Sequence, residues 1–308
     1  MDFPITELLS RHESVCWLEQ HFHPHGLHCS HCGAARAQAR LFRHTRSGFA
    51  VYRCCDCQGI YTVLSGTVWA GCCLAPAKIV LLLRGFCQGQ SSARLARELK
   101  LSRTTVLLWR RKLQQQAQHL AQVQAQEPLA DEHCETDEMF QNAGKKGEPH
   151  HDPQDPPRRR ANKKKGHGTY DNDRPPVVGT VGRASGQCRL QVCRHTDGAT
   201  LRAQVQRHTT AGATCYSDEW KGYSRLERTH WQVEHGKKQW AWDADGDGIN
   251  EVHTNSIEGL WTSVRNWLRP FRGVHKRYLQ GYVVMCQHAI NYKRISPHFI
   301  AQLVQHLS

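Results

Sequence analysis

Two cysteine pairs, Cys29-x2-Cys32 and Cys54-x2-Cys57, stand 21 residues apart. The x2 spacing lets two thiolates converge on one ion with the intervening amides turned toward the sulfurs, so two such knuckles form the tetrahedral four-thiolate set of a structural Zn²⁺ site. Cys55, His28 and His31 are alternative ligands at one corner. A closed four-thiolate set leaves no open position, so this metal folds a domain rather than performing chemistry. Three acids stand out by context: Asp137 in the strand-like run HCETDEMF, Asp218 ending the strand ATCYSDEW, and Glu258 in the first turn of an amphipathic helix. Phosphoryl transfer on nucleic acid needs carboxylates from separate elements to hold two divalent ions about 3.5–4 Å apart, and two strand ends with one helix N-terminus can supply them.

Each acid also has an ordinary reading. Asp137 and Asp218 fit turn or strand-end positions, and Glu258 falls three residues after Asn255, as in a capping box. Arg265 lies seven residues after Glu258, on the same helical face, where it can contact a phosphate or simply face solvent. The segment Asp243-Ala-Asp245-Gly-Asp247-Gly248-Ile-Asn-Glu251 begins like a calcium loop. Thr254 occupies the position where a bidentate Glu is expected and no EF-hand helix precedes it, so it reads as an acidic turn.

The elements that must carry these groups divide the 308 residues into three parts. Residues 1–73 are rich in Cys and His and read as a zinc-ribbon domain with an N-terminal helix. Residues 74–126 are rich in Leu, Ala, Arg and Gln. Residues 127–308 alternate strand-like and helical pieces in the order strand, strand, strand, helix, strand, followed by a helix from Asn255 stopped at Pro270 and a closing helix over about 276–292. Within 141–176, almost free of aliphatic residues and containing RRRANKKK, a long mobile loop is expected. Its cations Arg158, Arg159, Arg160, Lys163, Lys164 and Lys165 form either a solvated run or an arm for phosphates.

Residues 91–113 read as a helix with Leu95 and Leu99, a break near Leu101, and a second helix with Val106, Trp109 and Leu113, N-capped by Ser102. A helix-turn-helix of this kind is expected to expose Arg103, Thr104, Thr105, Arg110, Arg111 and Lys112, hydroxyls and cations suited to phosphates and base edges; a plain basic hairpin is the alternative. Forty-one Lys and Arg against 27 Asp and Glu give a net charge of +14, which points to a polyanionic partner. No run of 18 apolar residues occurs and the N-terminus lacks the pattern of an export signal, so membrane insertion and export are not expected and the 14 Cys read as reduced thiols.

The succession of knuckles, RCCDCQGIYTVLSGTVW, a helix-turn-helix, DEMF, GKKG, YSDEWKGY and HTNSIEGLW…LRPFRGVHKRYLQGY resembles the zinc-ribbon, DDE-type (ISXO2-like) group of bacterial insertion-sequence transposases over roughly residues 20–295. The resemblance implies a multidomain α+β protein: zinc ribbon, helix-turn-helix, and a ribonuclease-H-like catalytic domain with a mixed sheet. It makes Asp137, Asp218 and Glu258 the catalytic acids, holding Mg²⁺ or Mn²⁺, and puts Arg265 where the family often has a Lys. It further implies binding of terminal inverted repeats, cleavage and strand transfer without a covalent protein intermediate, a homodimer or higher synaptic assembly, and a cytoplasmic, nucleoid-associated location. The rival readings are a non-catalytic DNA-binding protein, either a regulator or an inactivated transposase, and a nuclease that cuts without joining.

Overall fold

The computed structural model describes residues 10–143 and 167–305, and these fall into two compact units. The first comprises residues up to Leu120 together with the chain from Tyr292. Helix α1 (Arg11–Phe22) begins where the Ser10 hydroxyl accepts the Glu13 N–H, and buries Trp17, Leu18 and Phe22. Strands β1 (Ala39–His44), β2 (Ala50–Cys54) and β3 (Ile60–Tyr61) form an antiparallel sheet. Helices α2 (Pro76–Cys87), α3 (Ser92–Glu98) and α4 (Arg103–Gln124) follow. The chain reverses between α3 and α4 at Lys100, with φ of 50°, and Ser102 Oγ accepts the Thr105 N–H at 3.0 Å, as expected of its capping position.

On α4, Val106, Trp109, Arg110 and Leu113 share the i, i+3, i+4, i+7 stripe that faces inward, and this corrects one expectation. Arg110 is 2% exposed. Its guanidinium donates to Ser92 Oγ at 2.9 Å and to the Gln90 carbonyl, and lies 4.6 Å from the centre of the Phe86 ring. Arg110 therefore ties α4 to the start of α3, while Arg103, Thr104, Arg111 and Lys112 remain exposed and Thr105 is half-buried.

A second correction concerns the C-terminus. The helix Pro297–Val304 packs against α1, the Val68 N–H donates to the Val304 carbonyl at 2.8 Å, and Tyr292 stacks on Phe299. Residues 292–305 thus complete the first unit instead of ending the domain expected over 127–308.

The second unit, Ala121–Asn291, contains β4 (His133–Phe140), β5 (Pro176–Gly182), β6 (Cys188–Val192), α5 (Gly198–His208), β7 (Thr214–Asp218), β8 (Thr229–Val233), β9 (Ala241–Trp242), β10 (Val252–His253), α6 (Asn255–Leu268) and α7 (Lys276–Asn291). The mixed sheet has the order β6-β5-β4-β7-β8, with β5 antiparallel to β4 and β6, and β7 parallel to β4 and β8. Ile257, Trp261 and Val264 of α6 cover one face, against Val177, Val181 and Leu190. Leu201 and Val205 of α5, with Tyr223, cover the other against Val178 and Cys215. The strand and helix order from β4 to β7 matches the sequence reading, which did not anticipate the β9–β10 hairpin.

The ends of the expected mobile loop are tied down: the Gln141 and Ala143 N–H groups donate to the Pro175 and Asp173 carbonyls, and Lys276 pairs with Asp173 at 3.0 Å. Arg158, Arg159, Arg160, Lys163, Lys164 and Lys165 lie outside the described residues. Among the described residues, no helix is long and apolar enough to cross a membrane.

Candidate functional site

The two knuckles meet. Cys29, Cys32, Cys54 and Cys57 bring their sulfurs within 4.8 Å of one another, with Cys29–Cys57 and Cys32–Cys54 at 3.6 Å. Zinc–sulfur bonds of about 2.3 Å in a tetrahedron place sulfurs about 3.8 Å apart, so the cluster has the dimensions of a four-thiolate metal centre. Cys55, His28 and His31 are not in this group, and the Gly59 N–H donates to Cys57 Sγ at 3.4 Å. All 14 cysteines are free thiols, as expected.

The acids are set by the sheet. The β4–β7 register runs from His133↔Thr214 to Glu135↔Tyr216; carried two residues further, it sets Asp137 beside Asp218 with both side chains on one face. Burial is the main force pushing the Asp137 carboxyl up to about 6, the negative charge of Asp218 adds to it, and Glu258 contributes in the same direction. Asp218 is also raised, chiefly by burial, against the opposing Trp220 N–H, which it accepts at 3.1 Å. Trp261 Nε1–H donates to Asp137 Oδ2 at 2.7 Å and fixes that carboxylate. This contact depends on the residue paired with Asp137 across β5: a Cβ on Gly179 would lie 2.5 Å from the Trp261 ring.

Glu258 projects from the first turn of α6 with 58% of its side chain exposed. The capping-box alternative fails, because the N-cap is Thr254, Asn255 is already helical, and no side chain caps from that position. The Ile257 N–H is instead taken at 2.9 Å by Glu135 Oε2 from β4. Glu135 is fully buried, and its Oε1 accepts from Arg183 Nε at 2.8 Å and faces His253 Nδ1 at 3.2 Å. Arg183 also donates to the carbonyls of Glu251 and His253, each at 2.7 Å. The same strand thus carries Asp137 and, two residues earlier, the group that anchors the helix bearing Glu258.

Sequence reasoning missed this anchor; its trace is only that Glu135 shares a strand face with Asp137. It also missed Glu138, on the opposite face, whose carboxyl is pushed up to about 8 mainly by burial and accepts the Tyr223 hydroxyl at 2.8 Å. His235 was missed as well: its Nε2 stands 3.9 Å from Glu258 Oε1, and its charge bears on Asp218. Arg265 is exposed two turns beyond Glu258.

The three acids form an open group. Among the described residues, the carboxylates gathered within 4.8 Å as a set of three are those of the acidic turn, Asp243, Asp245 and Asp247. A wider triad is what a pair of cations requires. With metal–oxygen distances of about 2.1 Å and ions about 4 Å apart, the outer ligands stand up to about 8 Å from each other and the central one touches both. Asp137 feels the charges of both Asp218 and Glu258. Hard carboxylate oxygens suit divalent cations.

Residues 130–291, just over half of the chain, match the model of the ISXO2-like transposase domain. The chain is 28% identical over 286 residues to an uncharacterised protein in transposable element ISH50 of Halobacterium salinarum, covering 91% of this chain and 90% of that protein. A chain of a pre-cleavage Mos1 transpososome shares 11% identity over 70% of this chain and 77% of its own, at a TM-score of 0.21, too slight a likeness to bear on the fold.

Proposed function

The chain belongs to the family of ISXO2-like transposase domains, and from that membership we propose that it is a DDE-type transposase that binds the terminal inverted repeats of an insertion sequence, cuts the DNA and joins the cut ends to a target. What supports this reading is that the β4–β7 register sets Asp137 beside Asp218 and that Asp137 feels the charge of Glu258 from α6. The strand order β6-β5-β4-β7-β8, in which β5 alone runs antiparallel to the other four strands, supports a ribonuclease-H-like domain.

Asp137, Asp218 and Glu258 would hold the Mg²⁺ or Mn²⁺ ions, which when bound polarise the scissile phosphate and activate the attacking oxygen. The chain's own residues position the rest. Trp261 holds the Asp137 carboxylate in one orientation, Glu135 pins the N-terminus of α6, and that N-terminus presents Glu258 beside the phosphate path. No side chain in the arrangement is called on as a covalent nucleophile. Cys29, Cys32, Cys54 and Cys57 would hold Zn²⁺, which when bound would fold the ribbon. Arg103, Thr104, Thr105, Arg111 and Lys112 serve as the DNA-facing set of a helix-turn-helix, Arg265 as a further phosphate contact, and Arg158, Arg159, Arg160, Lys163, Lys164 and Lys165 as a phosphate-binding arm. Two element ends must be processed together, so a homodimer or higher synaptic assembly is the working form.

The test is a Mg²⁺-dependent assay on terminal-repeat DNA. Asp137→Asn and Asp218→Asn should each abolish cleavage and joining while DNA binding persists. Undiminished product from either variant removes the catalytic assignment, and DNA binding without any divalent-dependent product from the unmodified chain replaces it with a non-catalytic DNA-binding protein.

A further inference from the structure

Trp240 is 61% exposed, more open than any other tryptophan of its unit, the next being Trp231 at 38%, and it lies near the acids. Its ring leans on His235 with centroids 4.8 Å apart, and His235 is in turn 3.9 Å from Glu258. The segment is anchored from the other side too: the N–H groups of His235 and Gly236 donate at 2.8 and 2.9 Å to the carboxylate of Glu219, the residue after Asp218. Between these anchors and the indole stand Lys237 and Lys238, both exposed, Lys237 with its ammonium on the neighbouring carboxylate of Glu234. An aromatic face held in the open, with cations alongside, is the composition that binds unpaired nucleotides, because an indole can stack on any base once that base has left its neighbours. A paired base inside a duplex offers only its edges and would leave the indole uncovered.

We propose that the segment 235–240 is a single-strand docking element of the acid site: a base flanking the scissile phosphate leaves the duplex stack and lies on Trp240, while Lys237 and Lys238 contact adjoining phosphates. This rests on the reading that Asp137, Asp218 and Glu258 cut DNA, and adds that they do so on a locally opened strand. The anchoring through Glu219 and His235 holds the platform one side chain away from two of the three acids.

The experiment measures binding of the full chain, without added divalent cation, to a labelled dT12 single strand and to a labelled 12-base-pair duplex. A base–aromatic stack is worth roughly 5- to 150-fold in affinity. Trp240→Ala should weaken dT12 binding by that factor and leave duplex binding within about twofold, whereas Trp240→Phe should keep most of the affinity. A 2-aminopurine placed in the strand should be quenched on binding by the unmodified chain and less so by Trp240→Ala. Equal losses on both probes, or none on either, overturn the proposal. So does a Trp240→Ala variant that keeps dT12 binding but loses self-association, which would make the indole a contact between copies. No cleavage enters this measurement, so its failure leaves the Asp137 test standing. Conversely, selective loss of dT12 binding in Trp240→Ala alongside undiminished cleavage in Asp137→Asn would keep the platform and remove the cutting site.

Discussion

Glu135 offers the sharpest test of how the fold presents the third acid. It is fully buried and takes two donors at once, Arg183 Nε at 2.8 Å and the Ile257 N–H at 2.9 Å, with His253 Nδ1 3.2 Å away. Replacing it by alanine strands a guanidinium whose side chain is only 17% exposed and a helix N-terminal amide. Breaking a buried pair by removing one partner costs about 3–5 kcal/mol. Arg183 keeps its two carbonyl acceptors, which places Glu135→Ala near the lower end of that range. Glu135→Gln keeps an acceptor for the Ile257 N–H but turns its NH2 toward Arg183 Nε and loses that charged hydrogen bond, a cost of about 1.5–3 kcal/mol. Urea unfolding followed by circular dichroism should rank the two variants in that order. Cleavage at saturating DNA should fall further than stability alone explains, since a displacement of about 1 Å in a catalytic group costs up to about 100-fold. A Glu135→Ala chain within about 0.5 kcal/mol of the original, or glutamine as costly as alanine, would refute the account.

Three further outcomes are expected. Cys29→Ser or Cys57→Ser should release zinc, read by metal analysis of the purified chain, with loss of terminal-repeat binding; full zinc retention in both would remove the ligand set. His208 is buried and its pKa is held down to about 3, first by burial and then by Arg189 and Arg207. Between pH 3 and 6.5 the unfolded chain takes up a proton at His208 that the folded one refuses, so the contribution of this group to stability falls as the pH drops below 6.5, by about 2 kcal/mol at pH 5, opposite in sign to the contributions of the raised Asp137 and Glu138. His208→Leu should flatten that slope in urea titrations between pH 5 and 7, and an unchanged slope would contradict it. Arg110→Ala should destabilise the first unit by about 2–3 kcal/mol, whereas Arg103→Ala should leave stability alone and lower the slope of log affinity against log salt by about 0.9; the reverse pattern would return Arg110 to the DNA-facing set.

What the sequence disclosed followed the strength of local patterning. The cysteine spacing gave the metal centre because both knuckles are short-range turns that carry their own geometry. The apolar positions of α6 gave that helix and its buried face, including Trp261, yet not the hydrogen bond from Trp261 to Asp137, which depends on Gly179 in a strand reached only through tertiary pairing. Arg110 was misplaced because charge outweighed periodicity in the reading, although its position four residues after Val106 already put it on the inner stripe. The C-terminal helix was assigned by continuity along the chain, whereas its contacts with α1 and the backbone pairing at Val68 are long-range and leave no local mark. Glu135 was invisible for a related reason: a buried ion pair is recognised by its partner, and Arg183 lies 48 residues away.

The electrostatics of the second unit explain why that buried pair matters. Burial raises both Asp137 and Asp218, and the charge of Asp218 raises Asp137 further, so holding them side by side works against folding whenever both are ionised. The sheet register leaves them no room to separate, because sliding β4 against β7 by one residue would turn Asp137 to the opposite face and break the pairing at Glu135. Glu258 has no such restraint from the sheet, and its exposed side chain would drift from the pair if the first turn of α6 frayed. A neutral cap on that turn would satisfy the amide but would leave the turn free to move with the helix. Glu135, on the same strand as Asp137 and paired with Arg183, fixes the helix N-terminus to the strand that carries Asp137. The repulsion stored among the acids is therefore tolerated by an anchor two residues away, and the group stays assembled before any cation arrives.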